Sequence, residues 1–497
     1  MPTSLDCLHT VDAQESVPQP AVRETASEVI RNAFASPRLL PVVCVQGLGF
    51  VGAAVAIAVA SARRADGSPA YNVIAVDLPN EQGLSRIASL SEGRFPFATT
   101  DAKLLEKARE VHAVGNLIAC AEPAAFGAAN VVIVDVPLNV EHMEQKGAAL
   151  DLQTFRSAIH SIGRYMRPDA LVIVETTVPP GATGFVAAPL LREGLGRRNL
   201  PIDQFKLAHC YERVMPGRHY FDSIVNIPRV YAGIDPASAD ACEAFLRTII
   251  NVEQFQLLRL SSTTASEVAK VLENTFRAVT IALMDEWGGF AEQIGVDIFE
   301  VVDCIRSRPT HSNIRTPGFG VGGYCLTKDP LMGKLAAREI FLSEHSFPLA
   351  EMAVEINRRM PLRVLDRMKR LLTEGLEGRR ILLLGVSYRQ DVGDTRHSPS
   401  EVFYRAAIRE GAEVVLHDPL VEYWHEQSVH VAQTLPPAAG LDAIVLAVAH
   451  DEYRSLDYEQ WLDGSRPLFF DGFNVLTAEQ RSRLRALGCR VESIGRG

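Results

Sequence analysis

The chain has 497 residues, enough for two to four domains at roughly 150 residues each. Apolar residues make up 47% and charged residues 22%, a globular balance that excludes a disordered or fibrous chain. A net charge of -10 excludes the basic face of a nucleic-acid binder, while backbone amides and a few Lys or Arg can still hold a phosphorylated ligand.

In chain order, residues 1–38 are polar, carry Pro18, Pro20 and Pro37, and read as an extension with a short helix over Ala21–Phe34. Asp6, Asp12 and Glu15 stand where a signal peptide would be basic and then apolar, so none is expected, and the cytoplasm is the expected compartment. Leu39–Ala60 has 22 residues with only Gln46 strongly polar, long enough to cross a bilayer. Gly47, Gly49 and Gly52 favour a buried strand, a tight turn and a packed helix instead, and no membrane association is expected. Cys7, Cys44, Cys120, Cys210, Cys242, Cys304, Cys325 and Cys489 form no Cys-x-x-Cys pair and have no His cluster beside them. No metal site and no disulfide scaffold are expected, and most of these thiols should be inert and buried.

From Pro41 the chain alternates apolar runs (Val42–Val45, Val73–Val76, Val131–Val136, Leu171–Val174) with helical stretches such as Asp101–Val111 and Leu152–Tyr165. Short apolar strands joined by helices imply a parallel sheet covered on both faces. A long helix is expected over Ala265–Ile294, with Val268, Leu272, Phe276, Val279 and Leu283 as an apolar stripe and Lys270, Asn274 and Arg277 on another face. It is a candidate bridge between domains and a candidate dimer surface. After Gly375–Gly378 a second alternation begins, with strands expected at Arg380–Val386, Glu413–Leu416 and Ala443–Val448, closed by Pro467–Phe470.

Gly47-Leu48-Gly49-Phe50-Val51-Gly52 ends the first strand and opens a helix. The glycines permit the turn, the approach of a pyrophosphate and the packing of helix on strand, with phosphate at the helix N-terminus. The second strand ends in Asp77, whose carboxylate suits the ribose hydroxyls of NAD and repels the phosphate of NADP. The bland alternative is a glycine turn without a cofactor. The expected fold class is therefore α/β, two Rossmann-like doubly wound domains joined by a long central helix. The expected divisions are the extension 1–38, an NAD-binding domain 39–258, a central helical domain 259–374 and a C-terminal domain 375–497.

Residues 317–330, Pro-Gly-Phe-Gly-Val-Gly-Gly-Tyr-Cys-Leu-Thr-Lys-Asp-Pro, form a glycine-rich loop able to wrap a ligand, with Cys325 at its exit. A thiolate beside Lys328 at a helix entry would be favoured electrostatically, and Asp329, one turn on, could direct water. Lys270 and Asn274, one helical turn apart, could stabilise an alkoxide or oxyanion. Taken singly, these residues read as a structural cysteine and a solvated helix face.

The glycine fingerprint, Glu175-Thr-Thr177-Val-Pro-Pro-Gly, Glu212-Arg-Val-Met-Pro-Gly217, Lys270-x-x-x-Asn274 and Gly-Gly-Tyr-Cys325-x-x-Lys-Asp329 occur in one order. Over roughly residues 40–480 that order resembles the UDP-glucose/GDP-mannose dehydrogenase family. The resemblance implies an NAD-dependent enzyme, dimeric through its central helix, whose C-terminal domain binds the nucleotide sugar. It implies a four-electron oxidation of the sugar 6-hydroxyl to a uronate, through a thiohemiacetal and thioester on Cys325. Lys270 and Asn274 would stabilise the oxyanion, and Asp329, Thr177 and Glu212 would position water. Val136, Pro137, Thr177 and Lys328 would join the glycine turn and Asp77 around NAD. Substrate would be held by Glu212, Arg213, Val214, Lys270, Asn274, Phe319, Gly320, Gly322, Gly323, Tyr324, Arg389 and Arg396, with Arg308 or Arg306 reaching a neighbouring subunit's site.

Departures from the family pattern are Tyr211 for a usual Pro, Leu138 for a common Thr, Arg389 for a frequent Lys and Phe473 for a common Arg. Substrate features are mixed. Glu-Arg-Val-Met-Pro-Gly and Cys-x-x-x-Asp-Pro resemble the UDP-N-acetylhexosamine branch, whereas Gly-Gly-Tyr-Cys-Leu-x-Lys-Asp resembles the UDP-glucose branch. An N-acetylhexosamine is expected, with UDP-glucose as the alternative. The rival readings are a two-electron hydroxyacid dehydrogenase, which needs neither Cys325 nor a second α/β domain, and an inactive nucleotide-sugar-binding scaffold, whose motifs should have decayed.

Overall fold

The computed structural model describes residues 40–497 except 139, 144–146, 216 and 373–374; side chains of 139–150 are also left out. The expected helix over Ala21–Phe34 lies outside the described residues.

The first sheet has eight strands: β1 (Val42–Gln46), β2 (Asn72–Val76), β3 (Leu117–Cys120), β4 (Val131–Val134), β5 (Leu171–Val174), β6 (Lys206–His209), β7 (Arg229–Gly233) and β8 (Leu257–Arg259). Their order is β8-β7-β6-β5-β4-β1-β2-β3. All neighbours run parallel except β6 and β7. The apolar runs are continuous because both faces are covered. Val43 and Val45 pack on one side with helix α1 (Phe50–Ser61), while Val42 and Cys44 pack on the other with Phe155 and Ile159. Half of these strands, β3 and β6–β8, had no strong signal, being short or mixed with polar residues. The run to Val136 stops at Val134, because the Thr176 hydroxyl takes the Val136 N–H (2.9 Å) and ends the ladder. The Asp101–Val111 helix begins at Ala102, with Asp101 as its cap, and continues to Val114 before a left-handed Gly115.

The described part of that apolar run, Leu40–Ala60, folds as strand, turn and helix, and no helix among the described residues is long and apolar enough to cross a membrane. The central helix α2 (Thr263–Ile294) has 32 residues, begins at a Ser262 side-chain cap and ends at a left-handed Gly295. It packs along α3 (Pro348–Leu371), which leads into the second sheet. That sheet is fully parallel, of β9 (Arg380–Leu384), β10 (Glu413–His417), β11 (Ala443–Leu446), β12 (Leu468–Asp471) and β13 (Val491–Ser493), in the order β10-β9-β11-β12-β13. Pro467–Phe470 therefore does not close the sheet. A fifth strand does, too short and too polar (Val-Glu-Ser) to stand out in sequence.

Candidate active site

The strand order reverses between β1 and β4, and in open α/β sheets ligands bind outside the carboxyl ends at that point. The glycine turn lies there. Gly47 has φ +93° and donates its N–H to Val76 O at 2.8 Å; a Cβ on it would lie 2.1 Å from Asp135 O. A Cβ on Gly52 would lie 1.9 Å from Gly47 O, whereas one on Gly49 would meet nothing within 4 Å. The outer two glycines thus serve packing, and the middle one faces open space. Gly49 caps α1 without a side chain, leaving the first amides of the helix for an anion. Asp77, at the end of β2, accepts from Leu48 N–H (3.3 Å) and Leu78 N–H (2.8 Å). It also pairs with Arg86 at 3.3 Å, a partner without a sequence signal. Phe50 stacks on Phe97 with centroids 4.0 Å apart, Val51 is half-buried beside it, Val136 is buried and Pro137 is exposed. An open middle glycine, an uncapped helix and a carboxylate at the end of β2 fit a dinucleotide.

The cysteine loop belongs to the segment between the two sheets and is seated against the second. Cys325 O accepts from the N–H groups of Lys328 (3.3 Å) and Asp329 (2.9 Å), a turn that folds Asp329 back beneath the thiol. Asp329 is buried; its Oδ2 accepts from Asn274 Nδ2 at 2.7 Å and its Oδ1 from Lys328 Nζ at 2.8 Å. Lys270 Nζ donates to Glu212 O at 2.8 Å and to Glu212 Oε1 at 3.2 Å. Helix α2 thus brings Lys270 and Asn274, one turn apart, to the two acids that flank Cys325. Half-buried Thr177 follows Thr176, which ties the ends of β4 and β5, and the buried pair Glu175–Arg229 closes the floor.

Charge at this centre differs from expectation in one respect. Cys325 is solvent-exposed, yet desolvation by the surrounding protein pushes its thiol up to about 11, with Asp329 and Glu212 opposing Lys270 and Lys328. The cations do not hold a standing thiolate here. Lys328 is also turned into its own loop, on Asp329 and 5.1 Å from the Tyr324 ring centroid, so its ammonium is not shared with the glycine turn. Burial opposes the charge on Lys270, but Glu212, Cys325 and Asp329 outweigh it and raise its pKa.

The glycines of the cysteine loop serve mainly to seat it on the second domain. A Cβ on Gly322 would lie 2.3 Å from His397 O, one on Gly323 2.8 Å from the Tyr388 ring, and one on Gly320 3.1 Å from Pro399. Asn357 of α3 clamps Val321 by its N–H (2.9 Å) and carbonyl (2.6 Å). Phe319 is fully buried beside Phe403 in the core of the second domain, which removes its side chain from the substrate set. Arg308 lies on an exposed turn outside the cluster around Cys325, and Arg306 is held by Asp303 and Ile314 O. Glu212 Oε2 accepts from Val214 N–H at 2.7 Å, and Arg213 pairs with Glu273. Tyr324 lies 5.5 Å from Arg396, which grips Asp394 and also reaches Phe50 at 5.3 Å. Arg389 is exposed. Burial, then neighbouring Arg315 and Arg389, lower the pKa of Arg277, marking three guanidiniums gathered near the thiol. Arg315 sits in an unpatterned segment, and no sequence signal distinguished it.

A dinucleotide crevice on the first sheet, with a thiol supplied by the helical segment that joins it to a second Rossmann-like sheet, defines a dehydrogenase of two Rossmann-like domains around a helical centre. Comparison with known proteins supports the same class. Profiles of the UDP-glucose/GDP-mannose dehydrogenase family match as NAD binding domain over residues 42–250, central domain over 264–359 and UDP binding domain over 382–478. The chain is 31% identical over 468 residues to the UDP-N-acetyl-D-mannosamine dehydrogenase of Pyrococcus horikoshii, covering 92% of this chain and 99% of that protein. A solved structure of that organism's UDP-D-ManNAc dehydrogenase superposes with a TM-score of 0.76 at 29% identity, covering 92% and 99% of the two chains. The NDP-N-acetyl-D-galactosaminuronic acid dehydrogenase of Ralstonia nicotianae is 28% identical, covering 84% of this chain and 93% of that protein. The chain belongs to the UDP-glucose/GDP-mannose dehydrogenase family and is an NAD-dependent oxidoreductase acting on nucleotide sugars.

Proposed function

We propose that this protein oxidises the 6-hydroxyl of a UDP-N-acetylhexosamine to the carboxylate, in two hydride transfers, through a covalent adduct on Cys325. The observation that carries this reading is the exposed Cys325 thiol with Lys270, Asn274, Asp329 and Glu212 gathered about it. NAD held at the glycine turn supplies the hydride acceptor. Cys325 Sγ adds to the aldehyde carbon while Lys270 and Asn274 face the carbonyl oxygen, and the thiol proton leaves to solvent or to a neighbouring base. After the second hydride leaves, water oriented by Asp329, Thr177 or Glu212 breaks the thioester and restores the thiol. Arg277, Arg315 and Arg389 form the counter-charge for the diphosphate. The similarity to two dehydrogenases named for N-acetylated sugars supports the N-acetylhexosamine over glucose.

The experiment is a panel of UDP- and GDP-sugars, with NADH counted per sugar. Wild type yields two NADH and a uronic acid from a UDP-N-acetylhexosamine, and folded Cys325→Ala yields no acid. Acid made by Cys325→Ala at near wild-type rate overturns the covalent route, and a preference for UDP-glucose overturns the sugar assignment. We also propose a homodimer formed through the exposed face of α2.

A further inference from the structure

We propose that Tyr211 is a positioning residue: its ring holds Lys270 in place as an ammonium, and its hydroxyl fixes Arg213. This rests on the function proposed above. Tyr211 follows β6, directly before Glu212, and is 1% exposed. Lys270 Nζ lies 5.5 Å from the ring centroid and the Arg213 guanidinium 5.4 Å. The phenol oxygen accepts from Arg213 Nη2 at 3.2 Å, and Arg213 is braced further by Glu273 and by Pro228 O at 3.3 Å.

The need for the ring follows from the surroundings of Lys270. Its ammonium is buried and directs hydrogens at the Glu212 carbonyl and carboxylate, so it has given up nearly all its water. Besides the Tyr211 phenol, the titratable groups facing it are Glu212, Asp329, Cys325, Glu175 and His209. Of these, Glu212 touches it, and Asp329 is engaged by Asn274 and Lys328. An aromatic face at cation–π distance adds negative potential without a further hydrogen bond, leaving one N–H of Lys270 for a developing oxyanion. An aliphatic or proline residue at this position supplies neither the face nor the phenol oxygen.

The two halves of Tyr211 separate experimentally. Tyr211→Phe removes only the bond to Arg213, so KM for the nucleotide sugar rises severalfold while kcat and its alkaline limb stay put. Tyr211→Leu removes the face as well, so kcat falls about tenfold and the alkaline limb, where Lys270 loses its proton, moves down by about one pH unit. Installing ring-fluorinated phenylalanines at Tyr211 drains the face at nearly constant size, which keeps the test available if the Leu variant misfolds. The alkaline limb then moves down stepwise with each fluorine. Kinetics of Tyr211→Leu equal to Tyr211→Phe, or a limb indifferent to fluorination, overturn the proposal. A wild-type enzyme that oxidises no nucleotide sugar sinks the functional reading instead, before any variant is compared.

Discussion

At Asp77 one carboxylate meets two backbone amides and the guanidinium of Arg86, and this arrangement carries the cofactor preference. Wild type should favour NAD over NADP by a hundredfold or more, on the order expected when a carboxylate opposes a 2'-phosphate. Asp77→Ser leaves Arg86 unpaired beside the ribose and should cut that preference at least tenfold; an unchanged ratio of kcat/KM values would show that the ribose lies elsewhere. Cys325 gives a second test. With its thiol pushed up to about 11, alkylation by iodoacetamide in the free enzyme should climb tenfold per pH unit from 7 through 10 without levelling near 8.5. Asp329 raises this thiol, so Asp329→Asn should move the curve to lower pH and speed alkylation at pH 8. A slower reaction in that variant would contradict the sign. Cys325, Lys270, Asn274 and Asp329 were legible in sequence because each stands in a spaced motif. The state of the thiol was not, because desolvation by surrounding protein and the balance of four nearby charges arise only in the folded chain.

Four glycines in six residues marked a loop with special packing, but not what it packs on. The missing Cβ atoms are required by His397 O, Tyr388 and Pro399, more than 60 residues away in sequence. Gly322→Ala should therefore cost about 1–3 kcal/mol of stability by overpacking and displace Cys325. A melting temperature and activity equal to wild type would show that the loop yields freely. In α2 the period was legible, but the faces separated only in part: Val279 of the expected stripe is half-buried against Ala353, and Arg277 of the other face is exposed. Lys270 and Asn274 point inward, while Val268, Leu272, Phe276 and Leu283 are exposed, joined further along by Trp287, Phe290 and Ile294. A stripe of this length left in water at roughly 1.5–3 kcal/mol per large side chain favours a second copy of the same helix. If the proposed dimer forms through this face, Leu272→Glu with Phe276→Glu should turn it into a monomer in light scattering at micromolar concentration. A dimer unaffected by both changes would place the contact on another face.

Across the whole molecule, alternating strands and helices in two blocks gave both sheets, and the central helix gave their link. The strands that escaped notice, β3, β6–β8 and β13, are short ones at or toward sheet edges, where hydrogen bonding to a neighbour stabilises what composition alone would not. The sulfur's loop is seated on the second domain by Gly322 and Gly323 and on α3 by the Asn357 clamp, whereas the dinucleotide crevice belongs to the first sheet. On the proposed covalent route, a half-oxidised sugar on Cys325 would be tethered away from the sheet that releases cofactor, and spent NADH could be replaced while the sugar stays aboard. One equivalent of NAD per site should then yield one NADH and no aldehyde that semicarbazide can trap from solution, and a second equivalent should discharge the acid. Aldehyde captured outside the protein after the first equivalent would mean that the tether is not made.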